Sequence, residues 1–282
     1  MLPFTILLVV LSAAINAFVG FRLKKSGNKI VFVLLHEILG TIVLLPLFLY
    51  FLLIETVSTT TILFAMISGF VHAIYWIFLS KAYEKGDLSY VFPITKAAPG
   101  FILIFAIMFL GENVSLEGAI GVIIIVLGIM VISNRKNNYR KKLRETVMAL
   151  FAMMSIVIYS LLDKKGVDSI NPVAFLFLFT FFLILTIAIY ILLTNGTKAI
   201  RKEWKISKKI ALLTGSLNLL AYCMILIVFV FENVSYVIAL RQLSVLFAVI
   251  IGGQILKEDQ KWIRLFAASL IIIGSIIISL FA

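Results

Sequence analysis

Two cations stand alone in long apolar stretches: Lys96 between Leu88 and Leu110, and Arg241 between Ser235 and Leu256. Placing a lysine or arginine at the centre of a membrane span costs about 2.5–3.5 kcal/mol on insertion scales, so such residues face a cavity or a partner. Positive charge held there suits a guest with a carboxylate or phosphonate-like group. Pro93 and Pro99 bracket Lys96. Each removes a backbone donor and bends a helix, and the freed carbonyls are tolerated at depth only where backbone lines water or protein. Two competing structural roles for Lys96 are snorkelling to the surface and pairing with a buried acid such as Glu37.

Acids well inside apolar sequence are scarce. Glu37, with His36 beside it, is the candidate for handling a coupling proton, while Glu112 and Glu258 sit at helix ends and read as turn or gate residues. Two stripes add polar and aromatic groups at helical spacing: Gly69, His72 and Trp76, and Gly215, Asn218 and Tyr222. Each suits the wall of a site for a small polar molecule, and each also suits packing and hydrogen bonding between helices. Catalytic spacing is not found. The segment "HEILG" starts like a zinc-protease helix but has Gly40 where the second histidine belongs, and G-x-S-x-G and Walker A patterns are missing. No enzyme activity, metal or other cofactor is therefore expected. The single cysteine, Cys223, reads as packing.

These residues need elements to hold them. Of the 282 residues 63% are apolar and 13% charged, and the mean hydropathy is +1.17. No soluble domain has that composition. Ten apolar runs recur, near 2–21, 30–53, 61–80, 88–110, 116–133, 146–162, 172–193, 210–231, 235–256 and 262–281. Most are close to the roughly 20 residues that cross a bilayer as a helix, and all exceed barrel strands. The expected fold class is an all-α polytopic membrane protein. The +12 net charge is then explained by topology rather than by nucleic acid. With the N-terminus outside, 21 of the 25 Lys and Arg fall in loops on the cytoplasmic side, and the outer side holds Lys164 and Lys165. That bias predicts extracytoplasmic termini. It also makes "NRKNNYRKKLR" and "TKAIRKEWKISKK" cytoplasmic anchors, with anionic membrane lipid as a partner for them.

A shift of 146 residues lays the third to fifth runs on the eighth to tenth. Gly69 falls on Gly215, Glu112 on Glu258, Gly128 on Gly274, and Lys96 one place from Arg241. A shift of 140 lays "LKKSG" on "DKKGV". The chain reads as two five-helix repeats, 1–133 and 146–282, joined by a basic linker at 134–145. Five is odd, so the second repeat is expected upside down, the architecture of carriers that rock around a midplane site. Lys96 would then lie toward one side of the membrane and Arg241 toward the other. The spacing Gly121/Gly128, echoed by Ala267/Gly274, serves tight packing within one chain or between two, so monomer and homodimer both stay open.

Two segments carry a family resemblance: "AYEKGDLSYVFPITKAAPGFILIFAIMFLGENVSLEGAIGVIIIVLGIMVI" and its weaker copy "FENVSYVIALRQLSVLFAVIIGGQILKEDQKWIRLFAASLIIIGSIII". Each has a small-residue turn, a pore-side helix, a "GE" or "KE" at the next turn and a glycine-bearing last helix. The chain thereby resembles the EamA-like family of the drug/metabolite transporter superfamily, and "GDLSYVFPITKAAP" is similar to that family's phosphonate-utilisation-associated branch. The resemblance implies a five-plus-five carrier for small metabolites. It also implies cytoplasmic termini, opposite to the charge bias.

The expectation is a secondary carrier in the cytoplasmic membrane for a small organic substrate, anionic or zwitterionic. Substrate contacts are assigned to Lys96, Arg241, His72, Trp76, Asn218 and Tyr222. The alternatives are a multidrug or cation exporter, and a non-transporting scaffold or lipid-flippase subunit.

Overall fold

Lipid offers no hydrogen bonds to the backbone, so segments as apolar as these satisfy their amides internally as helices. The computed structural model describes residues 1–85, 94–133, 143–194, 196–247 and 261–281. Helices and turns make up these residues, with no strand among them. Expectations resting on Pro93, Glu258 and most of the 134–145 linker lie outside the described residues.

The first half contains α1 (Pro3–Lys25), α2 (Lys29–Ile54), α3 (Thr59–Lys85), α4 (Ala98–Leu110) and α5 (Leu116–Ser133). The second contains α6 (Leu143–Val167), α7 (Pro172–Thr194), α8 (Gly196–Phe231), α9 (Val234–Leu240) and α10 (Lys261–Phe281). Local chemistry sets several ends. Pro3 opens α1 where no amide partner is needed, the Asn28 side chain caps α2, and Gly111 ends α4 at φ 66°. Six helices, α1 to α3 and α6 to α8, are long and apolar enough to cross a bilayer. The rest of the ten expected runs appear as shorter apolar helices.

Two helices outrun their hydropathic cores. α8 has 36 residues, about 54 Å at 1.5 Å per residue, so the basic segment expected as a loop anchor is instead its first turns. The Glu203 carboxylate there accepts from the Asn28 amide at 2.9 Å and from Ser207 Oγ at 2.7 Å, which fastens the α1–α2 turn. α6 runs on to Val167 and takes Asp163 inside the helix.

Apolar side chains cover the outside, and polar groups are buried within an otherwise apolar core. Leu53, Leu193, Leu116 and Phe109 lie exposed, while His36, Glu37, Ser68, His72, Asp163 and Thr180 are buried. Large exposed apolar surface is untenable in water and normal against acyl chains.

Contacts follow the internal repeat. The pairing of α3 with α6 is mirrored by α8 with α1, and that of α2 with α8 by α7 with α3, while α5 pairs with its own counterpart α10. Glycines permit the closest approaches. A Cβ on Gly69 would stand 2.3 Å from the Phe179 carbonyl oxygen on α7, and one on Gly215 would stand 2.0 Å from the His36 carbonyl oxygen on α2. Gly121 and Gly274 meet likewise, a Cβ on Gly274 falling 2.6 Å from the Gly121 carbonyl oxygen. The paired small residues therefore pack α5 on α10 within one chain.

Gly69→Ala and Gly215→Ala push a methyl into a neighbouring backbone, and each should cost about 1–3 kcal/mol. Gly20, with nothing within 4 Å of a Cβ, is the control. Its change to alanine should be neutral or stabilising by up to about 1 kcal/mol, as a helix-interior glycine is entropically costly. Thermal unfolding of the three variants in detergent checks the order.

Candidate functional site

The glycine contacts bring α2, α3, α7 and α8 close enough for their polar stripes to share one cavity of about 90 Å³. One turn beyond its glycine, α3 contributes His72, then Tyr75 and Trp76. The equivalent turn of α8 contributes Asn218 and Tyr222. Glu37 of α2, Asn16 of α1, Tyr159 of α6, and Phe179 and Thr180 of α7 complete the walls of the bundle.

Lys96 and Arg241 reach the same cavity. Both sit at helix breaks. Before α4 the chain turns at Ala97, whose amide bonds Ile94 O at 3.3 Å, and Pro99 then starts α4. After α9 it turns at Arg241 and Gln242, with the Gln242 amide on Ala239 O at 3.0 Å and the Ser244 amide on Arg241 O at 3.1 Å. These three-residue bonds replace regular α-helical ones. The breaks are repeat equivalents, since a shift of 146 places Lys96 on Gln242. The two cations therefore line one cavity from equivalent breaks in the two halves.

One densely bonded group is passed over by hydropathy reading. Asp163 is fully buried on α6. Its carboxylate accepts from Ser68 Oγ and from the Tyr222 hydroxyl, and the His72 Nε2 lies 3.0 Å from Oδ2. The His72 ring is held flat between Tyr159 and Phe179, with centroids 3.8 and 4.7 Å away. Over the Tyr222 ring lies the Arg241 guanidinium, 5.0 Å from its centroid. The expectation that Glu37 is the one acid well inside a span is thus corrected. The apolar run stops at 162, where three charged residues begin, yet Ile156, Tyr159, Asp163 and Gly166 continue one buried helical stripe. That spacing was the available signal.

Glu37 is also buried, at 3% exposure. Its Oε1 lies 3.0 Å from His36 Nε2 and accepts from Asn218 Nδ2 at 3.2 Å. His36 itself stands behind Glu37, edge-on to Trp76 at 6.1 Å, and is not part of the cavity wall. Among the described residues, three buried polar atoms on cavity residues have no protein hydrogen-bond partner: Arg241 Nε, Thr180 Oγ1 and Gln242 Oε1. Buried polar groups are nearly always satisfied, so water or a guest in the cavity can supply partners for a donor, a hydroxyl and an acceptor here.

Glu112 is elsewhere. Its carboxylate accepts from the Val234 amide at 2.5 Å and from Ser235 Oγ at 2.6 Å, capping α9 in place of the Asn233 side chain. Nearby, the Tyr236 hydroxyl accepts from the Ser115 amide at 2.9 Å, and Glu232 accepts from the Leu2 amide and Thr5 Oγ1, each at 2.7 Å.

The sequence profile of the EamA-like transporter family matches residues 3–134 and 143–280, one match to each half. An uncharacterized protein of Methanocaldococcus jannaschii is 30% identical over 97 residues, 34% of this chain and 71% of that protein. A crystal structure described only as that of a protein superposes with a TM-score of 0.73 at 13% identity, over 99% of this chain and 97% of the other. At that identity the likeness shows the fold alone.

Loss of the Glu112 cap should weaken the α8–α9 turn without touching the cavity. Glu112→Ala is expected to lower stability by about 0.5–2 kcal/mol, and Glu112→Gln, which keeps one acceptor, by less. Thermal unfolding of both variants beside the parent checks this.

Proposed function

The chain belongs to the EamA-like transporter family, and from that premise we propose that it is a secondary carrier for a small organic metabolite in the cytoplasmic membrane. Its two halves, inverted relative to one another, rock about the cavity and expose it to each side in turn. The substrate carries an anionic group, a carboxylate or a phosphonate, and a zwitterion suits the site best.

The observation that carries this reading is the mixed set of groups at the cavity. Arg241 and Lys96 face it together with Glu37, and open donor and acceptor positions lie on Arg241, Thr180 and Gln242. The cations receive the anionic end. Glu37, backed by His36, receives an ammonium. Trp76 and Tyr222 provide apolar faces, and Asn218 and His72 add hydrogen bonds. The cavity of about 90 Å³ is below the roughly 300–1,000 Å³ of drug-sized sites, which disfavours export of bulky drugs. A lipophilic cation would also have to approach two like charges. A scaffold that carries nothing gives no reason to leave buried polar atoms open around a cavity.

Lys96→Met and Arg241→Met keep length and apolar bulk while removing charge. Each should abolish flux of the substrate in reconstituted vesicles with little change in thermal stability, whereas Lys96→Arg should retain part of it, because the charge stays while the donor geometry changes. Amino acids, phosphonates and lipophilic cations form the panel. Movement of lipophilic cations alone, unaffected by either Met variant, would overturn the reading.

The orientation proposed from the Lys and Arg bias places both termini outside the cytoplasm. Reporter fusions after Ala282 should give an extracytoplasmic signal. A cytoplasmic signal reverses the topology.

A further inference from the structure

We propose that Asp163, reached through His72, is the site at which this protein binds its coupling proton; the coupling role rests on the carrier reading. A fully buried carboxylate within a membrane span is expensive and is functional by default. This one is tied to both halves. Asp163 lies on α6, Ser68 and His72 on α3, and Tyr222 on α8. In the internal repeat that lays "LKKSG" on "DKKGV", its counterpart is Leu23, an ordinary core residue. The fold therefore does not require an acid at this position.

The route is built in. Asp163 is not part of the cavity wall, but two of its three partners, His72 and Tyr222, are. A proton arriving from the cavity at Nδ1 of His72 lets Nε2 pass its own proton to Oδ2, 3.0 Å away. The imidazole returns to a neutral state and the carboxyl becomes neutral. One proton enters and nothing else is consumed. Stacking between Tyr159 and Phe179 holds the ring in line for this transfer.

Proton uptake changes both packing and charge. After the transfer Oδ2–H donates back to the bared His72 Nε2, so that bond reverses direction, while the neutral carboxyl is a weaker acceptor than the carboxylate for Ser68 and Tyr222. The tie between α3 and the second half loosens. Around the site, α6 adds Tyr159 and Lys164, α3 adds Tyr75, and α8 adds Tyr222. Lys96 precedes α4 and Arg241 follows α9, Glu37 faces across from α2, and α7 presents Phe179 and Thr180, which do not titrate. Lys164 is engaged outward, with Phe229 O and Asp168. Neutralising Asp163 leaves Lys96 and Arg241 with less compensating negative charge, which favours an anionic guest, and the guest favours the proton in return. Proton and anion then move in the same direction.

Infrared difference spectroscopy on the full protein in lipid vesicles, between neutral and acid pH and with no substrate present, tests proton binding directly. The parent should show a protonated-carboxyl C=O band on acidification. Asp163→Asn should lose it, and Glu37→Gln should keep it. Tyr222→Phe should keep the band at a changed frequency, because one hydrogen bond is gone; this variant identifies the group even if Asp163→Asn does not fold. Aspartate carrying ¹³C in its side-chain carboxyl should shift the band, and labelled glutamate should not. A band that ignores Asp163→Asn and Tyr222→Phe, or that disappears only in Glu37→Gln, overturns the proposal. For any panel compound that the parent moves, exchange by Asp163→Asn should lose its response to an imposed pH gradient, and an undiminished response also overturns it. If the parent moves no compound, the carrier reading fails while the infrared result still decides the proton site.

Discussion

Helix axes can approach to backbone contact only where no side chain intervenes, and this molecule depends on two such approaches. Gly69 lies on the Phe179 carbonyl and Gly215 on the His36 carbonyl. In lipid there is no hydrophobic force between helices, so close packing of this kind has to hold them. The residues one turn beyond each glycine, His72 and Asn218, are thereby turned toward a common space. Because the two contacts are equivalents in the repeat, one packing solution is used twice and the cavity is lined by matching stripes from both halves.

What the stripes enclose is unlike the rest of the interior. Several buried hydroxyls away from the cavity bond back to their own helix, as Ser160 does to Ile156 and Thr214 to Ile210. Around the cavity the bonds cross between helices: Asp163 to α3 and α8, and Glu37 to α8. Such bonds exist only in one arrangement of the helices and break if the arrangement shifts. A polar network of this kind makes the junction specific, and every member left unpaired is costly in a low-dielectric interior. Helix breaks at Ala97 and at Arg241 and Gln242 belong to the same region, next to the cavity-lining Lys96, Arg241 and Gln242.

Acids outside the cavity have a different task. Glu112 caps α9, Glu232 meets the first residues of α1, and Glu203 holds the α1–α2 turn. Each carboxylate supplies an acceptor to backbone amides that lack an intrahelical partner, and each does so across a long separation in sequence. These contacts fix the start of α9 and tie the ends of α1 and α2 to the second half.

Composition and periodicity alone determined the helices, their membrane setting, the two halves, and the stripes bearing His72, Trp76, Asn218 and Tyr222. Transfer from water to lipid and a helical repeat are local properties, and residues a few places apart record them. Partnership is not local. Asp163 reads as the charged end of a hydropathic run because the residues that make its burial tolerable, Ser68 and Tyr222, lie 95 and 59 positions away. The break at Arg241 and Gln242 has no proline or glycine to announce it. Only the packing of the helices decided that Asp163 would be buried, that Lys96 and Arg241 would share one cavity, and that Glu112 would cap a helix of the other half. Side-chain partners depend on which helices touch, and that is settled by backbone approach in three dimensions.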